Sequence, residues 1–244
     1  MNEAATRYSL AFVRQNLPAA RSRIFEVGAG RGELARALSE LGHEVMAIEA
    51  DAEAAEAARQ LGVKTYCAPW PDFAVEAESF DAVLFTRSLH HIQPLHEALR
   101  HARTALRLGG RVMIEDFGYD EASARELAWF AGVVRLLTAT GALTRESSWL
   151  HSLAHDSDPA SAWRAEHDHD LHARAAMLHA VREVFGNNAR GEPAAYYFRY
   201  LNEAWQHETQ RHLCAEAFLR MEEAMIAANV IAPLGCRIVA EKPA

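Results

Sequence analysis

The sequence predicts an α/β fold, a mostly parallel sheet with helices on both faces. Three observations carry this. Short apolar segments alternate with helix-type segments from residue 23 to residue 117, the rhythm of right-handed strand–helix–strand crossovers. The first apolar segment, Ile24-Phe25-Glu26-Val27, runs into Gly28-Ala29-Gly30-Arg31-Gly32 and then Glu33-Leu34-Ala35-Arg36-Ala37-Leu38, which reads as strand, glycine turn and helix. Ala82-Val83-Leu84-Phe85 is an unbroken apolar run, as expected of a strand covered on both faces.

Composition sets the outer bounds. A chain of 244 residues, 50% hydrophobic, can fill one large α/β core. The net charge is −8 and no Lys/Arg run stands out, which argues against a nucleic-acid partner held on a basic patch. No stretch approaches the roughly 20 apolar residues of a membrane span. Met1-Asn2-Glu3-Ala4 lacks the basic and apolar regions of a signal peptide. Cys67, Cys214 and Cys236 are widely spaced and read as reduced thiols. These points favour a cytoplasmic protein.

Taken in order, residues 3–17 suit an amphipathic helix with Leu10, Phe12, Val13 and Leu17 on one side. The first strand spans about 23–28 and the first crossover helix about 32–41. A second strand, 44–49, ends in Glu49, and Asp51 caps a helix over 52–61. A third strand covers about 63–66 and a fourth 79–86. A helix over 93–108 follows, with Pro94 in its first turn, and then a fifth strand over 111–117. Residues 119–190 break the alternation, with helical stretches at 121–140 and 171–185 around a polar middle, 147–170. Ala195-Tyr196-Tyr197-Phe198-Arg199-Tyr200-Leu201 is expected as a sixth strand. A helix over 203–229 and a last strand over 234–241 close the chain.

The spacing of the glycines narrows the ligand. A dinucleotide fingerprint, G-x-G-x-x-G, places its third glycine where this chain has Glu33. Here the pattern is G-x-G-x-G, with the acid Glu26 two residues before it. An acid at the first helical turn suits the helix dipole but repels a pyrophosphate. Glu49, about twenty residues on at a strand end, is placed to accept the hydroxyls of a ribose. With Phe80-Asp81-Ala82-Val83, Leu89-His90-His91-Ile92 and Leu108-Gly109-Gly110, these motifs resemble the class I S-adenosylmethionine-dependent methyltransferases. The resemblance covers 20–117 and, more loosely, 195–244.

That resemblance implies a Rossmann-like seven-stranded sheet with an antiparallel last strand. With the break in alternation read as a helical cap insertion (119–194), which lies outside the resemblance, the chain is expected to form a single methyltransferase domain: an N-terminal helix (1–20), a cofactor-binding core (21–118), the cap, and the sixth and seventh strands with their helix (195–244). The resemblance implies S-adenosyl-L-methionine as cofactor and S-adenosyl-L-homocysteine as product. The implied cofactor residues are Glu26, Gly28, Ala29, Gly30, Gly32, Glu49, Ala50, Ala68, Trp70, Arg87 and Leu89, with Tyr8 reaching in from the first helix. The family's acid after the third strand is replaced by Cys67-Ala68-Pro69-Trp70, and Trp70 serves either as an adenine platform or as core. Tyr8 likewise serves either ligand or packing.

The cap points to an enclosed small-molecule acceptor, with oxygen as the atom methylated. Such a transfer needs alignment, exclusion of water, and a base for the acceptor proton. Candidate bases are His90 and His91, beside the fourth strand, and His167 and His169, from a histidine-rich stretch over 151–179. That stretch meets no zinc spacing, so no metal is expected. Two other readings stay open: a non-catalytic cofactor-binding protein of this fold, and an NAD-type oxidoreductase, against which the displaced glycine counts.

Overall fold

A computed structural model describes residues 3–143, 148–201, 204–205 and 208–243. Helix α1 (Glu3–Asn16) leads into β1 (Arg23–Val27), α2 (Glu33–Glu40), β2 (Glu44–Glu49), α3 (Ala52–Gln60) and β3 (Lys64–Cys67). Next come β4 (Phe80–Thr86), α4 (Leu95–Ala105) and β5 (Leu106–Phe117). Helices α5 (Ala124–Ala139), α6 (Ser148–His155), α7 (Pro159–Glu166) and α8 (Arg174–Phe185) follow. The chain ends with β6 (Arg190–Ala194), α9 (Tyr197–Tyr200), α10 (Glu208–Ala227) and β7 (Gly235–Glu241). Residue 147 of the expected polar middle and residues 203, 206 and 207 of the expected helix over 203–229 lie outside the described residues. Among the described residues no helix is long and apolar enough to cross a membrane.

One seven-stranded sheet has the order β3-β2-β1-β4-β5-β7-β6. Strands β1 to β5 pair in parallel, and β7 runs antiparallel to both β5 and β6. The order reverses between β1 and β4, so the carboxyl ends of these two strands open a crevice. Period-two alternation supplies both faces of the core. From β4, Val83 and Phe85 join α4 and α8 on one side, while Ala82 and Leu84 join α1 and α2 on the other. A separate apolar cluster links α5, α6 and α7 to α9 and α10.

Three elements depart from the sequence expectation. The sixth strand is not 195–201: β6 is Arg190–Ala194, and Tyr197–Tyr200 form α9. Residues 194–199 are buried in succession rather than alternately, which suits a turn packed on all sides. Glu222 fixes that turn. Its Oε1 accepts from Tyr196 N (2.6 Å) and Tyr197 N (2.9 Å), and its Oε2 from Phe198 N (2.9 Å), satisfying donors that a helix start leaves free. The true strand, Arg190-Gly191-Glu192-Pro193-Ala194, is polar because it lies at the sheet edge, where proline is tolerated.

The expected cap is also narrower. Helix α8 buries Met177, Ala180, Val181 and Phe185 against the sheet, next to Ile238 and Ala240, so it is a layer of the core, whereas α5 to α7 pack together with Phe117 at the carboxyl end of β5. The polar middle holds two helices, α6 and α7, the second capped by Asp158 and begun by Pro159. Finally, α4 ends at Ala105 and β5 starts at Leu106. A register shift opposite Phe80 and Ala82 lets the strand pass through Gly109-Gly110.

Candidate functional site

The three glycines of the turn have different reasons to be glycine. All have positive φ, +70° at Gly28, +55° at Gly30 and +84° at Gly32, a region L side chains rarely enter. A Cβ on Gly28 would lie 2.4 Å from Ser88 Cβ, and one on Gly32 would lie 2.7 Å from Ala58 Cβ. Around Gly30 the space is open. Gly28 holds β1 against the loop after β4, Gly32 holds α2 against α3, and Gly30 faces a cavity. Gly28 N and Ala29 N bond to Ile48 O, tying the turn to β2.

Two acids frame this turn. Glu49 accepts from Gly30 N at 2.8 Å and from Asp51 N at 3.0 Å. Each of its oxygens keeps a lone pair, so a diol can still be bound. Glu26 is buried, accepts from Thr86 Oγ1 at 2.9 Å through Oε1, and leaves Oε2 without a partner. Desolvation, with the Glu33 charge, raises its pKa to about 7, against the Thr86 bond, the Arg87 charge and the nearby backbone N–H of Ala35.

These residues open on a cavity of about 1260 Å³. Of the residues predicted to hold cofactor, Glu26, Gly28, Ala29, Gly30, Glu49, Ala50, Ala68, Trp70 and Arg87 line it. Gly32 stands behind the turn, against α3. Leu89 is wholly buried in the core. Trp70 shows the cavity only an edge: its Nε1 donates to Ala98 O at 3.1 Å, and its ring packs on Phe25 and His101. Tyr8 is not brought to the cavity. Its hydroxyl accepts from Ala195 N at 3.0 Å, and the Arg237 guanidinium lies 4.1 Å from its ring centre. Its neighbours Ala5, Thr6 and Ser9 line the wall instead.

The histidines separate into distinct roles. His91 lines the cavity. Partial desolvation, with His90 and His169 beside it, lowers its pKa to about 4 although part of the residue stays exposed. His90 is buried off the cavity, its Nδ1 standing 2.6 Å from Asp116 Oδ1 but off the line of a hydrogen bond. His169 is exposed and stacks on His91 at 5.4 Å. His172 N donates to His90 O, and its ring bonds to Ile92 O, so one cap-side histidine pins the loop after β4. His167 is buried among Trp163, Tyr119 and Tyr200. Its Nδ1 lies 2.8 Å from Trp163 O, and its Nε2 3.0 Å from Tyr200 Oη. A carbonyl only accepts, so Nδ1 carries the proton and bare Nε2 accepts from the Tyr200 hydroxyl. Burial lowers the pKa of His167, keeping it neutral.

Tyr200 itself lines the cavity, as do Arg199, Trp149, Leu150 and Arg211. None of these five was singled out from the sequence. Arg199 is buried. Its Nη2 donates to Ser9 Oγ at 3.0 Å and to Glu115 Oε1, while Glu115 Oε2 takes Arg237 Nε at 2.9 Å. The two guanidiniums and Ser9 outweigh the cost of burial and hold the Glu115 carboxyl below its usual range. In the sequence Arg199 and Tyr200 sit inside a stretch that reads as a sixth strand, which gives neither side chain a place at the site.

Comparison with known proteins agrees with this geometry. A family model described as a methyltransferase domain matches residues 1–169. No curated protein matches. Among solved structures, an S-adenosylmethionine-dependent methyltransferase from Thermotoga maritima, described as a possible histamine N-methyltransferase, is 16% identical. The match covers 99% of this chain and 91% of that one, with a TM-score of 0.57. A methyltransferase from Archaeoglobus fulgidus is 14% identical over 97% of this chain and 94% of that one, at 0.59. The geranyl diphosphate C-methyltransferase of Streptomyces coelicolor, solved with S-adenosylhomocysteine, is 14% identical over 96% and 78%, at 0.57. With the seven-stranded order, the antiparallel β7 and the glycine turn, the match over residues 1–169 means that this chain belongs to the methyltransferase-domain family of class I S-adenosylmethionine-dependent enzymes.

Proposed function

We propose that the protein methylates an oxygen of a small molecule enclosed between the glycine turn and helices α5 to α7, within a single methyltransferase domain. Glu26, which lines the cavity, carries the cofactor side of this reading: its Oε2 is buried without a hydrogen-bond partner, which is rare, and an ammonium supplies what it lacks. Glu49 would take the ribose hydroxyls, Gly30 would give the chain-free approach, and Ala68 with the edge of Trp70 would border the base. Arg87 would flank the amino-acid end.

Bound S-adenosylmethionine supplies an electrophilic methyl and a neutral thioether leaving group. The chain's own work is then to align the acceptor, exclude water and take one proton. Tyr200 and His167 suit the last task. The acceptor hydroxyl gives its proton to Tyr200 Oη, while the Tyr200 proton passes to His167 Nε2 along the existing bond. The Trp163 carbonyl holds His167 in the tautomer that makes this possible. His91, with its pKa near 4, is the weaker base at neutral pH.

The test is turnover of labelled S-adenosylmethionine with a panel of hydroxylated, amino and carbon acceptors. Tyr200→Phe should lower kcat by a factor of about 10² to 10⁴ while leaving cofactor affinity in place. A variant with unchanged kcat would remove Tyr200 from the proton path. Methylation confined to amines would move the acceptor atom from oxygen to nitrogen.

A further inference from the structure

The acids of the cavity wall, Glu26, Glu33 and Glu49, all stand around the glycine turn, with Arg31 and Arg87 beside them. The end beneath α6 is lined by Trp149, Leu150, Arg199, Tyr200 and Arg211, and carries no acid among the described residues. Both arginines there have a buried Nε without a hydrogen-bond partner. Arg199 is 7% exposed, and its one carboxylate partner, Glu115, is shared with Arg237. One carboxylate thus serves two guanidiniums, and Glu222, also within electrostatic reach of Arg199, is held partly protonated by a pKa raised to about 7. Arg87, across the opening, adds to the repulsion that Arg199 feels. Arginine cannot relieve such a site by giving up its proton.

From this we infer that the methyl acceptor carries an anionic oxyacid group, a carboxylate or a phosphate, seated by Arg199 and Arg211 at the α6 end of the cavity. The inference rests on the methyl-transfer reading above and names the acceptor's class within it. Planar guanidinium forks match such groups with charge-assisted bonds. The Trp149 and Tyr200 rings, in edge contact at 5.1 Å, offer an aromatic wall to the rest of the molecule. An acceptor gripped at its acid end and covered by this wall would present its hydroxyl beside Tyr200 Oη.

The full chain, saturated with S-adenosylhomocysteine, is titrated by calorimetry with benzoate, phenyl phosphate and neutral benzamide. The expected result is at least ten-fold tighter binding of one of the anions than of benzamide. Which anion wins separates a carboxylate acceptor from a phosphorylated one. Arg211 is only partly buried, so Arg211→Gln should fold, keep the affinity for S-adenosylhomocysteine and lose the preference for the anion. Arg199→Gln removes a member of a buried network, so its unfolding curve is recorded beside its binding. Equal binding of all three probes, no binding of any, or an anion preference retained in Arg211→Gln overturns the inference. So does a fall in S-adenosylhomocysteine affinity in Arg211→Gln, which assigns that arginine to the cofactor's carboxylate. Failure of the unmodified protein to bind S-adenosylhomocysteine at all would instead count against the methyl-transfer reading, and is seen before any probe is added.

Discussion

Glu26 has one carboxylate oxygen bonded to Thr86 and one left bare in a buried wall, so its ionisation is coupled to whatever occupies the cavity. With its pKa raised to about 7, the free protein holds the acid largely protonated below neutrality, and a cationic ligand must displace that proton. The affinity for S-adenosylhomocysteine should therefore fall about ten-fold from pH 8 to pH 6, and Glu26→Gln should bind weakly with a flat profile. A flat profile in the unmodified protein would mean that Glu26 does not meet the ligand's cation. Gly28 gives a second residue-scale test. Gly28→Ala drives its Cβ toward Ser88 Cβ and forces an L residue into positive φ, and should cost about 2–3 kcal/mol in urea unfolding. Adding Ser88→Gly relieves the collision but not the φ strain, so roughly half should return. Gly30→Ala meets no atom and should cost only about 1 kcal/mol, which separates steric from conformational demand within one turn.

Among the elements, α9 has the least intrinsic stability. It spans four residues, Tyr197–Tyr200, far below the length at which a helix persists alone. It exists because Glu222 of α10 reaches across and takes three backbone N–H groups. Glu222→Ala leaves those donors buried and empty and should cost about 3 kcal/mol or more, with Tyr200 and Arg199 displaced. Glu222→Gln keeps oxygen acceptance at one atom and should cost less. If Glu222→Ala unfolds like the unmodified protein, the capping account of α9 fails. The same scale explains why the sixth strand was misplaced. Six aromatic or apolar residues around Arg199 suit a strand as well as a buried turn, and only a carboxylate more than twenty residues away decides between them.

For the whole molecule, burial of acids sets the pH response. Glu26 and Glu222 both have folded pKa values raised to about 7 by desolvation. Each therefore contributes stability fully below the unfolded value near 4.5, and loses that contribution as pH rises through about 7. Two such groups imply a loss on the order of several kcal/mol between pH 5 and pH 8 in the ligand-free protein. Glu115 runs the other way: its folded pKa is depressed, so its contribution disappears as pH falls below the ordinary carboxylate range. Urea unfolding of the free protein should thus show a stability maximum on the acid side of neutrality. Glu26→Gln should flatten the fall toward pH 8, and saturating S-adenosylhomocysteine should offset it. A monotonic rise in stability to pH 8 would contradict the burial of these acids.

By itself the sequence determined the family and the surroundings of the glycine turn. Glycine spacing, Glu26 before it, Glu49 at the next strand end and the run from Phe80 to Ile92 are local signals, because a tight turn and a strand end are made by neighbours in the chain. The structure places these residues on one crevice at the reversal of strand order. The end of the cavity where we propose the acceptor binds was decided only by the tertiary structure. Tyr200 stands in the wall because Glu222 caps α9, and His167 faces it because α7 folds over the sheet's end. Arg199 is charged and buried because Glu115 and Ser9 meet it from β5 and α1. Each of these contacts joins residues separated by dozens of positions or more, and no periodicity within a segment records which distant carboxylate or hydroxyl will arrive to satisfy it.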